Sequence, residues 1–147
     1  MFKDILVAVD GSIHSERALE QAIDLARSEG AKLTLIAVGK PSLGWPSPQQ
    51  PVVSDLELEE AMQEVVEDAA ETVPEDIPVT TVVSLGQPGD EIVNQASRGH
   101  YDLIVMGSRG RRAATSALLG SVSHTVLNRG PAAVLIVHAQ EANEKAA

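Results

Sequence analysis

Five short runs rich in β-branched residues, separated by helical patterns, constrain the fold of this chain more than anything else in it. The runs are Ile5-Leu6-Val7-Ala8-Val9, Leu33-Thr34-Leu35-Ile36-Ala37-Val38, Val79-Thr80-Thr81-Val82-Val83, Leu103-Ile104-Val105-Met106 and Ala133-Val134-Leu135-Ile136-Val137. Apolar runs of this length bounded by turn residues suit strands covered on both faces, and the helices between them supply the crossovers that parallel strands need. The pattern predicts an α/β domain, a three-layer sandwich with a five-stranded parallel sheet in the middle.

The helix boundaries are written in cap residues. Ser12 can cap a helix from about Ile13 to Glu29 that Gly30 stops, with Ala18, Leu19, Ala22, Ile23, Leu25 and Ala26 facing inward. Ser54 and Glu57 form a capping box before a second helix that Pro74 ends, and Leu58, Ala61, Met62, Val65, Val66, Ala69, Ala70 and Val73 fall on its apolar stripe. A third helix opens near Pro88 and turns Ile92, Val93 and Ala96 inward; a fourth runs from Gly120-Ser121 to just before Gly130-Pro131. Residues Gly39 to Val53, with four prolines and Trp45, read as a long loop beside the end of the second strand. The sequence shows no internal repeat, so one domain over residues 1–139 is expected, followed by a polar tail, 140–147, that frays.

Charge removes whole classes of function. Asp and Glu number 21 against 11 Lys and Arg, for a formal net charge of -10, so most of the surface would repel nucleic acid and anionic membranes alike. There is no cysteine for a disulfide, a thiolate metal site or a Cys nucleophile. The opening Met1-Phe2-Lys3-Asp4 leads into an apolar run too short for a signal peptide, and no run approaches membrane-spanning length. A cytoplasmic protein is the expected reading.

Against that acidic background one segment stands apart. After the fourth strand come Met106-Gly107-Ser108-Arg109-Gly110-Arg111-Arg112, and later Gly120-Ser121-Val122. Glycine lets the backbone adopt positive φ and lets N–H groups approach phosphate oxygens closely, so Gly107 and Gly110 suit an anion loop. Gly120 and Ser121 open a helix whose unpaired N–H groups and positive dipole end attract anions. Arg109, Arg111 and Arg112 concentrate positive charge beside it. Neither a Walker A loop nor the dinucleotide Gly-x-Gly-x2-Gly pattern occurs, so this is a phosphate loop without the lysine that bridges outer phosphates.

The spacing Gly107-x2-Gly110-x9-Gly120-Ser121, the opening Ile5-Leu6-Val7-Ala8-Val9-Asp10-Gly11-Ser12 and the ending Pro131-Ala132-Ala133-Val134-Leu135-Ile136-Val137 resemble the universal stress protein family, over Met1 to His138. The glycine pattern is similar to that of its ATP-binding branch. The resemblance implies a Rossmann-like sheet of order 3-2-1-4-5 with ligand in the crevice between the first and fourth strands, where open parallel sheets bind. It implies that Asp10 contacts the adenosine portion, that the backbone around Val38 meets the adenine edge, and that Gly107, Gly110, Gly120, Ser121 and Val122 hold ribose and phosphates of ATP or AMP. Gly11, Ser12, Met106 and Arg109 complete the expected binding set, and any Mg2+ or Mn2+ would be held through the phosphates.

With that order the fifth strand lies at a sheet edge, and Ala132 to Val137 carries none of the charges that protect edges. A homodimer through residues 132–137 is expected, and the resemblance implies the same antiparallel contact. No catalytic residue emerges. His14, His100, His124 and His138 lack metal-ligand spacing, and Ser121 with His124 reads as a cap and a surface side chain. The expected function is therefore an adenine-nucleotide-binding stress-response or sensor protein. The alternative is a slow ATPase or autophosphorylating protein of the same family. A response-regulator phosphoacceptor is disfavoured, because Asp10-Gly11, Ser84-Leu85 and His138-Ala139 stand where an acidic pair, an acceptor Asp and a Lys would be needed.

Overall fold

The computed structural model describes residues 1–42, 48–49, 52–109 and 120–139. Strands β1 (Asp4–Ala8), β2 (Lys32–Gly39), β3 (Val79–Leu85), β4 (Leu103–Gly107) and β5 (Ala133–Val137) alternate with helices α1 (Ile13–Glu29), α2 (Asp55–Glu71), α3 (Pro88–Gly99) and α4 (Ser121–Arg129). The strands form one sheet of order β3-β2-β1-β4-β5, and each neighbouring pair is parallel.

Period-two alternation sorts the side chains of each central strand between two cores. Ile5 and Val7 of β1, Leu33 and Leu35 of β2, and Val105 of β4 face the layer made by α1 and α2, where they meet Ala18, Leu19, Ala22, Ala26 and Val66. Leu6, Ile36, Ile104 and Met106 face the other layer and meet Ile92, Val93 and Ala96 of α3 and Val126 of α4. The strands are thus covered on both sides, which is why they lack polar alternation.

Local chemistry ends α1 where its caps predict. The Ser12 Oγ accepts from the Ser15 N–H, and Gly30 stops the helix in the left-handed conformation at φ 69°. Other boundaries move. β3 runs on to Leu85 because its ladder with β2 continues to the Gly39–Leu85 pair. In α2 the expected inner face is only partly inward: Val66 alone in the helix is fully buried, and Ala61 is exposed. The helix covers the outer half of the sheet, β2 and β3, where β3 is the edge among the described strands. Trp45 and the tail 140–147 lie outside the described residues.

At the amino edge of the sheet a single carboxylate ties two strands. The Lys3 and Asp4 N–H groups donate to the Asp102 Oδ2, at 2.8 and 2.9 Å, and the Asp102 N–H donates to the Asp4 carbonyl at 2.9 Å. The Asp4 N–H first, then that of Lys3, holds the Asp102 carboxyl below the ordinary aspartate value of 3.8. A lowered folded-state pKa stabilises the fold in full above the unfolded value, and that contribution is lost as pH falls through the folded value. Asp102→Asn should therefore lower the melting temperature at neutral pH, and the gap to wild type should close on acidification below 3.8. Thermal melts at both pH values check it; a gap that stays constant would show that the tie does not titrate.

Candidate functional site

The opposite, carboxyl edge gathers the residues singled out in the sequence. β1 ends beside both β2 and β4, so strand order reverses around it, the place where open parallel sheets bind ligands. Asp10, Gly11 and Ser12 follow β1, Val38 is the last residue but one of β2, Met106 and Gly107 end β4 and Arg109 follows it, and Gly120 caps α4, which Ser121 and Val122 begin. Gly110, Arg111 and Arg112 lie outside the described residues.

The turn after β1 is built by its own side chains. The Ser12 N–H donates to the Asp10 Oδ1 at 2.9 Å, an Asx turn that carries Gly11 to φ 82°. The Asp10 N–H donates to the Ser15 Oγ at 3.2 Å, and that hydroxyl donates to the Ser12 carbonyl at 3.1 Å. Asp10 thus holds the turn through its Oδ1. Ser15, a buried polar residue of this network, was legible only as the residue three positions beyond a cap.

Gly107 is required for a reason other than the one its sequence context suggests. Its φ is not positive; Gly11, Gly30 and Gly86 are the glycines so placed among the described residues. A Cβ at 107 would instead lie 2.7 Å from the His14 Cβ and 2.8 Å from its carbonyl carbon. The first turn of α1 rests directly on the end of β4, and this contact brings the β1 turn against the start of the glycine segment.

The start of α4 is drawn to the same place. The Gly120 N–H donates to the Ser108 carbonyl at 2.9 Å, and the buried Ser123 Oγ reaches the Gly107 and Ser108 carbonyls at 3.1 and 3.3 Å. Ser108 itself is 1% exposed, and its Oγ has no hydrogen-bond partner among the described residues. Gly120 sits at φ -71° and ψ 162°, ordinary cap geometry, so it needs no glycine for its own conformation.

Electrostatically α4 differs from the other helices. α1 and α2 have serine caps and acidic residues in the first turn, and α3 has Asp90 and Glu91 there. α4 has neither a side-chain cap nor an acidic residue in its first turn. Among the described residues, neither its cap nor its first turn offers its N–H groups and dipole an anion, in a chain with plentiful carboxylates. Among its neighbours Ser121 is exposed and Val122 and Arg109 are half-buried, whereas Met106 is buried in the core and can offer a ligand only its backbone. Val38 is half-buried at the end of β2.

The sequence model of the universal stress protein family matches residues 1–138. Universal stress protein YxiE of Bacillus subtilis is 36% identical over 147 residues, covering 93% of this chain and 99% of its own. Among solved structures, universal stress protein UspA from Lactobacillus plantarum superposes with a TM-score of 0.71 at 25% identity, over 92% of this chain and 97% of that one. A universal stress protein in complex with cAMP superposes with a TM-score of 0.71 at 26% identity, over 93% of this chain and 97% of that one.

Proposed function

This chain belongs to the universal stress protein family, and from that premise we propose that it is an adenine-nucleotide-binding sensor or stress-response protein of the family's ATP-binding branch. ATP or AMP lies in the crevice between β1 and β4. The observation that carries this reading is the uncapped, acid-free start of α4, brought to the end of β4 by the Gly120–Ser108 bond. A phosphate there would receive N–H groups and a dipole that in α1 and α2 meet a serine cap and in α3 meet the first-turn carboxylates Asp90 and Glu91. The cAMP complex of a similar protein supports an adenine nucleotide over other anions. In this arrangement Asp10, Gly11 and Ser12 meet the adenosine portion and the Val38 backbone its base. Met106 and Gly107 form the floor, and Arg109, Gly110, Gly120, Ser121 and Val122 surround ribose and phosphates. Mg2+ or Mn2+ would arrive on the phosphates. Calorimetry with ATP and AMP is expected to give micromolar dissociation constants, about -8 kcal/mol. No heat of binding up to millimolar nucleotide would sink the reading.

We also propose a homodimer through residues 132–137. β5 is an edge strand, and Val134, Leu135, Ile136 and Val137 are only partly covered within one subunit. Antiparallel pairing with a second copy about a two-fold axis would satisfy the open ladder and bury those side chains. Sedimentation at micromolar concentration is expected to show a dimer, and Val137→Asp a folded monomer by circular dichroism. A monomeric wild type would refute the pairing.

No described helix is long and apolar enough to cross a membrane.

A further inference from the structure

His14 is the buried imidazole that the nucleotide reading leaves unused. It is 4% exposed in the first turn of α1. Its Cβ and backbone fill the space above Gly107, at 2.7 to 2.9 Å from where a Cβ would be. Its Nδ1 accepts the Ala139 N–H at 3.4 Å, across 125 positions of sequence. Nδ1 is thus the acceptor of this bond.

The chain leaving β5 is therefore tied to the site twice. The Ser108 N–H donates to the Val137 carbonyl at 2.9 Å, and Ala139 donates to His14. One tie goes to the residue after Gly107, the other to the residue packed on Gly107. Close-packed contacts transmit a displacement rather than absorb it, so a ligand that fixes the Gly107 segment also fixes the acceptor of the Ala139 N–H.

We infer that His14 is a positioning residue that couples the end of β5 to the occupancy of the nucleotide site, through its contact with Gly107 and its bond to Ala139. The inference rests on the nucleotide reading above. Linkage makes the effect reciprocal: whatever orders the chain at Ala139 also favours the bound arrangement of Gly107.

The test is amide hydrogen exchange at Ala139 in the full chain, with and without saturating ATP, alongside calorimetry on the same samples. ATP is expected to slow this amide by about tenfold in wild type, an ordinary coupling strength. His14→Phe fills the volume but offers no acceptor; it should still bind ATP, with the slowing gone. His14→Asn places an amide oxygen near the former Nδ1 and should restore it. ATP-dependent slowing that survives in His14→Phe overturns the inference, and so does ATP binding to wild type without slowing. If His14→Phe does not fold, the wild type and His14→Asn decide the matter, since both must show the slowing. Failure of wild type to bind ATP in the calorimeter overturns the nucleotide reading itself, and the coupling with it.

Discussion

A Gly120→Asp variant should melt higher than wild type and bind ATP at least about a hundredfold more weakly, since the phosphate donors are taken and a like charge is added. The backbone at 120 already has cap geometry, φ -71° and ψ 162°. Among the described residues, a Cβ there would meet the Ser108 carbonyl oxygen at 3.5 Å and the Arg109 Cα at 3.6 Å, ordinary contacts. An aspartate side chain could therefore accept from the first turn of α4 and supply the negative charge that turn lacks. Cap and dipole together contribute roughly 0.5–1 kcal/mol, or about 2–4 °C in a domain of this size. Thermal melts and calorimetry on one preparation check both halves. A variant that gains stability and still binds ATP normally would place the phosphates away from α4.

Gly107→Val should do the opposite to stability and the same to binding. Its Cβ would lie 2.7 Å from the His14 Cβ, 2.8 Å from the carbonyl carbon and 2.9 Å from the carbonyl oxygen. Two of these are backbone atoms of a helix, so no side-chain rotation relieves the clash, and α1 must lift from the sheet. Overpacking of this kind costs about 3 kcal/mol, near 10 °C of melting temperature for a chain this long. ATP affinity should fall at least about tenfold, because the displaced turn carries Asp10, Gly11 and Ser12. The two glycines thus separate the roles of the segment: one variant dissociates binding from folding and the other damages both. A Gly107→Val protein that melts like wild type would contradict the contact between α1 and β4.

What the sequence could reveal follows from the range over which each feature is determined. The α1 boundaries were legible because Ser12 and Gly30 act on their own neighbours. The sheet was legible because strands covered on both faces leave unbroken apolar runs, as in Leu33 to Val38. The end of β3 was less so: Ser84 and Leu85 pair because β2 extends opposite them, and nothing local marks them as strand. Ala61 follows the helical stripe of α2 but meets no core, since periodicity gives the face of a helix and not how much lies beneath it. Gly107 was found for its place in a glycine pattern, while its steric requirement comes from His14, distant in sequence. His14 was passed over because a lone histidine near a cap carries no local mark of burial.

Because the strands are parallel, the chain enters the sheet at the edge stapled by Asp102 and leaves β5 at the edge that holds the glycine segment. Those edges stand about 17 Å apart, the length of a five-residue strand. A fluorescent reporter or affinity handle fused ahead of Met1 would therefore emerge remote from the crevice. The same handle fused behind the last residue would follow a chain that passes Ala139, within hydrogen-bonding distance of His14. Binding measurements on carboxyl-terminally fused protein should be repeated with the handle moved to the other end before an affinity is ascribed to the domain.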